Sequence, residues 1–538
     1  MDPHCIPFTE IPHTSRLLAD YLYRFGSVSQ FYAHSPHDSS AFTRAAGQIN
    51  REVSRCGAVA DVLAEQNRRW GGDAGVEQNI ERLGEGKAVA VVTGQQVGLF
   101  SGPAYSVYKA LTAVHLAEKL TAEGTPAVPV FWMATEDHDF AEVNHCLLLD
   151  RRDQLLPLRD ESAHPESVPV GRTELTYGVE LLRRQAWKMW PPELAGEAEE
   201  ILSSYAPGAT YADAFARLLA RLFAGRGLVI LDPMHPKLHE LSQPVFRRAL
   251  EEAESLHAAV RGRDRELEQA GYHAQVHLRD NATLLFVMVN GKRVPLRRRG
   301  SGFHLAGQGE QSLSALLAAL ESAPERFSAN VLLRPIQQDW LLPTAAYVAG
   351  PHEATYFAQA SVLYEKLLGR MPVIVPRVSL TLVPPKVQRL MKKYKLSVTD
   401  CWHALEQVRL RVAAQRLPRG LSRQLEKTQA KIEKQLTETA AAVQRLDPTL
   451  AGAAETSRRK MLYQFEKLRR KAARAQAERE EIVGRHTELL CNWLHPERDL
   501  QERRLSFLTF VARFGQPLVE RLLGEIKHPC PDHQVISL

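Results

Sequence analysis

Residues 88–103 read AVAVVTGQQVGLFSGP, a short apolar run that enters a turn rich in glycine. The run at 88–93 predicts a buried strand, because its side chains are apolar and mostly β-branched. Pro103 suits the first turn of a helix, and the apolar spacing after it predicts a helix that ends near Gly124. A second buried strand is predicted at residues 129–134. Strand, turn, helix and strand form one βαβ unit, which implies a parallel sheet with a right-handed crossover.

The predicted sheet continues through the first two-thirds of the chain. Further strand candidates are residues 227–231, 345–349 and 373–375. We interpret residues 1–384 as an α/β core built on this parallel sheet. Insertions are expected at about residues 150–225 and 260–330.

The second insertion carries its own antiparallel strands. The candidates are residues 273–278, 284–289 and 293–297. Asn290-Gly291 lies between the last two and is a strong hairpin signal, because a two-residue turn needs positive φ at both positions. The first insertion is more helical and amphipathic, from Val168 to Tyr205.

From about Pro385 the composition changes to Lys, Arg, Gln, Glu, Ala and Leu, which is typical of long helices. Asp447-Pro448 separates two apolar stripes and predicts that the second helix folds back on the first. The stripes are Leu421, Leu425, Thr428, Ile432, Leu436, Val443 and Leu446, and then Met461, Phe465, Leu468, Ala472, Ala475 and Ile482. We expect an antiparallel coiled-coil hairpin over residues 385–500, with residues 501–538 packing back on the core. A heptad seam left over on the hairpin favours a homodimer.

The composition argues against several classes of protein. A chain of 538 residues with 44% hydrophobic and 24% charged residues is expected to be globular, with large insertions or more than one domain. We see no export signal and no run of about 18 uncharged apolar residues, so no membrane partner is expected. The six cysteines are scattered without a Cys-x-x-Cys pair, which argues against a zinc knuckle or a disulfide framework and favours a reducing cytoplasm. The net charge of +6 is small and fits solvated helix faces better than a nucleic-acid footprint.

The glycine-rich turn after the first strand is a candidate anion-binding loop. Glycine lets the backbone approach a ligand closely, and the next helix offers an N-terminus with partial positive charge. The turn matches neither the P-loop motif nor the GxGxxG motif of dinucleotide-binding folds. The alternative interpretation is therefore a tight turn that binds no ligand. The candidate residues are Thr93, Gly94, Gln95, Gln96, Gly98 and Gly102, with Lys109 two turns into the helix.

The second strand ends in an acidic edge, Glu136, Asp137, His138 and Asp139. Open α/β sheets bind ligands at this end of their strands. Carboxylates crowded in this way repel one another unless they bind a metal, a cationic substrate or a proton, and such crowding also tunes pKa values for acid-base catalysis. We interpret the four as catalytic candidates, and we favour an ammonium group over a metal as their ligand. The interpretation requires that this edge and the glycine turn meet around one cavity.

A third polar cluster follows the next predicted strands. Its candidate residues are Arg334, Gly350, His352, Glu353 and Arg377. Arg334 and Arg377 could clamp a carboxylate or phosphate in bidentate fashion. His235 and His239 have the i, i+4 spacing of a metal pair, but they lack a third ligand and we interpret them as structural.

Three segments together resemble the bacillithiol-synthesis cysteine-adding enzymes, a cysteine ligase family. The segments are TGQQVGLFSGPAYSVYKA, VFWMATEDHDFAEVNH and RPIQQDWLLPTAAYVAGPHEATY. The resemblance extends over nearly the whole chain, because the order of core, insertions and coiled coil is also similar. It implies a Rossmann-like core related to class I nucleotidyl transferases and aminoacyl-tRNA synthetases, with connecting-peptide insertions and a coiled coil that makes a dimer.

The reaction that the resemblance implies is amide formation between the carboxyl of L-cysteine and the amine of glucosaminyl-malate, the last step of bacillithiol synthesis. It places the glycine turn and the acidic edge in the pocket, with Asn144, Arg334, Gln338, Gly350 and Glu353 nearby. Amide synthesis from a free carboxylate needs activation, so ATP or ADP is the cofactor to consider, and no metal is implied. The sequence has neither the His-x-Gly-His nor the Lys-Met-Ser-Lys-Ser motif of typical class I synthetases, so a nucleotide could bind elsewhere, for example between core and coiled coil.

Two alternatives stay open at the level of sequence. One is a nucleotidyl transferase that acts on another small amino or carboxylic acid. The other is a coiled-coil scaffold or sensor whose core is inactive. The acidic edge distinguishes the scaffold from a ligase, because a scaffold would tolerate its loss. A pyrophosphate-release screen over small acids distinguishes the nucleotidyl transferase.

Overall fold

The computed structural model, which describes residues 4–50 and 52–538, has a central sheet of five parallel strands. We number them β1 (Val89–Gln95), β2 (Ala127–Met133), β3 (Val229–Leu231), β4 (Thr344–Ala349) and β5 (Val373–Pro376). Their spatial order is β3-β2-β1-β4-β5, and each pairing is parallel. This is the doubly wound order, and it reverses between β1 and β4, where such sheets bind ligands. The predicted Rossmann-like α/β class is confirmed.

The two strands predicted first are buried along nearly their whole length. Burial on both faces explains why they read as continuous apolar runs instead of alternating ones. Helix α1 (Tyr105–Ala122) connects β1 to β2, and helix α2 (Pro351–Leu367) connects β4 to β5. Pro103 lies before the helix and not in its first turn, because the cap residue of α1 is Ala104.

The second insertion contains a five-stranded antiparallel sheet. Its strands are Ala282–Val289, Lys292–Arg299, Gly302–Leu305, Gly309–Gln311 and Phe327–Ala329. The predicted hairpin is present, with φ of 51° at Asn290 and 77° at Gly291, as a type I′ turn requires. The strand predicted at residues 273–278 is wrong. Backbone N–H groups there, those of Gln275 and Val276, donate to the side chain of Gln359.

The remaining elements of the first unit surround the sheet or extend from it. The helices are Arg16–Tyr23, Ser40–Gly47, Val53–Trp70, Ala74–Gly84, Tyr211–Leu222, Pro236–Glu251, Ala253–Gln269, Leu313–Ser322 and Arg334–Leu341. The first insertion adds the paired strands His145–Leu149 and Leu155–Arg159 and the helices Gly178–Trp187 and Ala195–Leu202. The segment Glu502–Ile536 belongs to the same compact unit as Met1–Leu380. It carries helices Leu508–Phe514 and Pro517–Glu525 and leads into strand His533–Ser537, which pairs antiparallel with His4–Ile6.

The second unit, Thr381–Gln501 with Ser537–Leu538, is mainly helical. Its longer helices are Pro385–Tyr394, Leu405–Ala414, Arg419–Leu446, Ala451–Arg479 and Glu481–Leu494. The two longest form the predicted coiled-coil hairpin. Leu462 and Phe465 are half-buried, whereas Met461 and Leu468 are 54% and 56% exposed, so part of the predicted second stripe faces solvent. In the part of the chain that the structure describes, no helix has the length and apolar character needed to cross a membrane.

Candidate active site

A cavity of about 820 Å³ lies at the carboxyl ends of β1, β2 and β4, within the size range of small-molecule sites. The glycine turn after β1 and the acidic edge after β2 meet there, since Gly94, Gln96 and Asp137 all line the wall. Gln96 Nε2 donates to Asp137 Oδ2 at 2.7 Å. The two loops on which the sequence interpretation depends are therefore in direct contact.

Most of the predicted site residues line this cavity. Those that do are Gly94, Gln95, Gln96, Lys109, Glu136, Asp137, His138, Arg334, Gly350, His352, Glu353 and Arg377. The predicted residues outside the lining are Thr93, Gly98, Gly102, Asp139, Asn144 and Gln338.

The outlying residues of the glycine turn shape the turn itself. A Cβ on Gly98 would lie 2.7 Å from the Cα of Gly102, which is closer than two carbons can approach. Gly102 has a φ of 60°, in the region that favours glycine. Thr93 Oγ1 donates to the carbonyl of Val348 at 2.9 Å and ties β1 to β4. These residues stabilise the turn. Because both are glycines, Gly98 and Gly102 can pack closely against each other, and they do not line the cavity.

The other outlying residues also bond to the surrounding structure. Asp139 is exposed and caps the short helix Phe140–Val143 by accepting from the Glu142 N–H at 3.2 Å. Its predicted catalytic role therefore has no geometric support. Asn144 Nδ2 donates to the carbonyl of Asp160 at 3.1 Å. Gln338 Oε1 accepts from Arg334, so its contact with the site is indirect.

The ammonium group of Lys109 is neutralised inside the protein. It forms an ion pair with Glu353 and donates to the Gly94 carbonyl at 2.7 Å and to Gln95 Oε1 at 2.8 Å. These contacts use the three donors that a lysine has. Burial alone would raise the pKa of Glu353, but Lys109 and the hydroxyl of Tyr347 outweigh it and hold that pKa below its usual value. The pair fixes the start of α2 against the turn after β1.

Arg377 is also satisfied within the protein. Its terminal nitrogens donate to the two carboxylate oxygens of Glu502 at 2.9 and 2.7 Å. Both side chains are buried, at 3% and 1% exposure. The predicted bidentate clamp exists, but it holds a carboxylate of the C-terminal segment instead of a ligand.

Arg334 is better placed to bind a substrate anion. Its guanidinium donates to Gln338 Oε1 at 3.1 Å, to the Tyr347 hydroxyl at 3.3 Å and to the Tyr356 hydroxyl at 3.0 Å. None of these three partners is a carboxylate, and the side chain lines the cavity. A guanidinium held in this way suits a carboxylate or phosphate.

Glu136 combines burial with an unused acceptor atom. It is 8% exposed, and its Oε1 has no hydrogen-bond partner among the described residues. His239 Nε2 lies 3.5 Å from that oxygen, while His239 Nδ1 lies 2.9 Å from the carbonyl oxygen of Phe327. Because a carbonyl only accepts, Nδ1 carries the proton and Nε2 faces Glu136. Burial raises the pKa of Glu136 above its ordinary value, which makes its carboxylate a better proton acceptor.

Sequence reasoning missed the contribution of the inserted hairpin. Arg293 lines the cavity, lies 3.9 Å from the ring centre of Phe286, and donates to Ser328 Oγ at 3.0 Å. Burial lowers the pKa of Arg293, while Glu136 and Asp137 act to raise it, so the guanidinium is within electrostatic reach of the acidic edge. Other lining residues not predicted include Tyr105, Glu142, Asn330, Tyr347, Tyr356 and Arg503. The Asn-Gly signal located the hairpin but carried no information about which surface it covers.

Comparison with known families gives the same architecture. The family model described as "Bacillithiol biosynthesis BshC, N-terminal Rossmann-like domain" matches residues 1–378. The model described as "Bacillithiol biosynthesis BshC, C-terminal coiled-coil domain" matches residues 380–538. The chain belongs to the BshC family. The resemblance carried by the three sequence segments is thereby confirmed.

Relatives of this BshC-family chain match it along nearly its whole length. It is 42% identical to "Putative cysteine ligase BshC" of Koribacter versatilis over 100% of both chains. A protein of the same name from Solibacter usitatus is 40% identical over 99% of both chains. Another, from Salinibacter ruber, is 35% identical over 97% of this chain and 96% of its own. The predicted enzyme class, a ligase, is confirmed.

Proposed function

We propose that this protein joins the carboxyl group of L-cysteine to the amine of glucosaminyl-malate, the last step of bacillithiol synthesis, in the cytoplasm. The names of the relatives support cysteine as one substrate. The observation that carries the proposal is a cavity with acidic groups, Glu136 and Asp137, and two arginines, Arg293 and Arg334, in the same wall.

The charges of this wall suit the two substrates. Cysteine carries an ammonium and a carboxylate, and glucosaminyl-malate carries an amine and the carboxylates of malate. Carboxylates of the acidic edge suit the nitrogen groups, and Arg334 and Arg293 suit the carboxylates. The amine must lose a proton before it attacks the cysteine carbonyl. We assign that proton to Glu136, which is buried in the wall with a free acceptor atom.

Activation of the cysteine carboxyl is a separate requirement. We propose that its oxygen attacks a phosphorus of ATP, giving an acyl phosphate with release of ADP, or an adenylate with release of pyrophosphate. The amine then attacks the carbonyl carbon, and phosphate or AMP leaves with the oxygen. In either route the residues of the cavity position the two reactants and accept the amine proton.

The proposal is tested with the purified full-length enzyme, L-cysteine, glucosaminyl-malate and ATP. We expect a product whose mass is the sum of the two substrates less one water, and chromatography of the nucleotides then shows ADP or AMP. Glucosaminyl-malate with an acetylated amine is the matched control and gives no product. Absence of the amide with ATP and with other nucleoside triphosphates would contradict the proposal. Pyrophosphate release with other small acids, but not with cysteine, would favour the nucleotidyl transferase.

We also propose that the hairpin pairs with a second copy of the chain. Met461 and Leu468 are seven residues apart, one heptad, and are exposed together with Tyr463. Sedimentation velocity is expected to give a dimer for the wild type and a shift to monomer for the double variant Met461→Glu, Leu468→Glu. Lys467→Glu, an exposed polar position on the same helix, is expected to stay dimeric. A wild-type monomer that persists at high protein concentration would show that this seam is not an interface.

A further inference from the structure

Two cysteines from opposite ends of the chain meet in the first unit. Cys5 lies in strand His4–Ile6, and Cys530 lies shortly before the final strand. Their Sγ atoms are 4.0 Å apart. One donor atom each from Cys5, Cys530 and Asp532 lie within 4.8 Å of one another, and all three residues are partly buried. The separation of 525 residues between the cysteines hides the cluster from any local spacing rule.

The backbone around the cluster is fixed by contacts that do not involve its donor atoms. Antiparallel pairing sets Cys5 opposite Gln534. The Gln534 side chain accepts from the N–H of Lys527 at 2.9 Å and donates to its carbonyl at 2.8 Å. These two bonds close the loop that contains Cys530 and Asp532. The backbone that carries the three donor groups is therefore held in place by contacts that do not depend on a bound metal.

Asp532 has the kind of support that orients a metal-binding carboxylate. The Tyr23 hydroxyl donates to Asp532 Oδ1 at 2.7 Å and accepts from the N–H of Phe8 at 2.8 Å. Such outer contacts fix ligand geometry in metal sites.

We propose that Cys5, Cys530 and Asp532 bind a zinc-like divalent cation, with water in the fourth position. Two thiolates at about 2.3 Å from one zinc ion lie about 3.8 Å apart at a tetrahedral angle, close to the observed 4.0 Å. Sulfur and carboxylate donors together suit this borderline-soft ion. Each thiol releases its proton to solvent as the metal binds. The site pins the N-terminal strand to the C-terminal segment and is independent of the proposed ligase reaction.

The test uses Co²⁺ as the probe, added to the full-length protein after reduction and chelator treatment. We expect one equivalent to bind with a thiolate-to-cobalt charge-transfer band that Zn²⁺ displaces. Cys530→Ser is expected to weaken binding more than about 100-fold, and Tyr23→Phe by about 10-fold, the range for loss of an outer contact. Bound Zn²⁺ should also raise the thermal midpoint of the wild type.

Cys491→Ser is the control, because Cys491 is a partly buried cysteine outside the cluster, and it should leave the band unchanged. If Cys530→Ser unfolds, Asp532→Asn provides the same comparison with both sulfurs intact. Absence of the band in the wild type would overturn the proposal. An unchanged affinity in a folded Cys530→Ser or Asp532→Asn variant would also overturn it, as would a Cys5–Cys530 disulfide that survives reduction.

Discussion

Glu136→Gln is expected to lower kcat for amide formation by about 100- to 10,000-fold, the range for loss of a general acid or base. Glutamine keeps the shape of the side chain but cannot accept the amine proton. The buried position of Glu136 beside His239 means that bulk water is poorly placed to replace it. Initial rates at saturating cysteine, glucosaminyl-malate and ATP measure the effect.

Asp139→Asn is the matched control on the same acidic edge. Asp139 is exposed and caps a short helix, and asparagine caps helices equally well, so kcat should stay close to that of the wild type. A loss as large as that of Glu136→Gln would show that the base is assigned to the wrong carboxylate.

The pH profile gives a second measure of the same assignment. A base works in its ionised form, and burial raises the pKa of Glu136 above its ordinary 4.5. We therefore expect kcat/KM to rise with pH through an acidic limb that lies above that value. The limb should be absent in Glu136→Gln.

Glu502→Ala is expected to lower the free energy of unfolding of the first unit by about 3–5 kcal/mol, the cost of breaking a buried ion pair. The change leaves the Arg377 guanidinium buried without its carboxylate. It also removes the acceptor of the Ser379 hydroxyl at 2.9 Å and of the Leu380 N–H at 2.9 Å. Urea unfolding of the wild type and variant measures the difference.

The sign of the pH dependence follows from the direction of the pKa shift. Burial alone would raise the pKa of Glu502, but Arg377 outweighs it, and the pKa lies below its ordinary 4.5. The contribution of the ionised Glu502 to the free energy of unfolding is therefore complete above pH 4.5, and it is lost as the pH falls through the lower pKa of the folded state.

The control variant Glu525→Ala breaks an exposed ion pair with Arg521 and should lower the free energy of unfolding by at most about 1 kcal/mol. Equal losses for the two variants would contradict the role given to the buried pair.

The sequence pattern correctly predicted those parts of the fold that depend on interactions between residues close together in the chain. The strand before Gly94, the hairpin at Asn290-Gly291 and the return at Asp447-Pro448 each depend on neighbouring residues alone, and all three are present. The strand predicted at residues 273–278 failed because a side chain far along the chain, Gln359, takes up its backbone N–H groups. No periodicity can report such a contact.

The same limit applies to the candidate site: residues at strand ends could be predicted from the sequence, but their long-range partners could not. Sequence placed Gln96 and Asp137 at the ends of neighbouring parallel strands, and the structure puts them in hydrogen-bond contact. It could not show that the cations of Lys109 and Arg377 have internal partners, because Glu353 and Glu502 lie 244 and 125 residues further along the chain. Arg293 was missed for the same reason, since only tertiary structure brings the inserted hairpin over the cavity.

The first unit consists of two separate segments of the chain, and the ribosome synthesises them at different times. Met1–Leu380 is synthesised before the helical second unit, and Glu502–Ile536 is synthesised after most of that unit. Until residues 502–536 have left the ribosome, Arg377 lacks its carboxylate and Arg503 is missing from the cavity lining. Nascent domains otherwise tend to fold in order from the N-terminus. Here the candidate pocket is complete only after residues 502–536 have been synthesised, so a chain that stalls inside the coiled coil lacks part of the pocket lining.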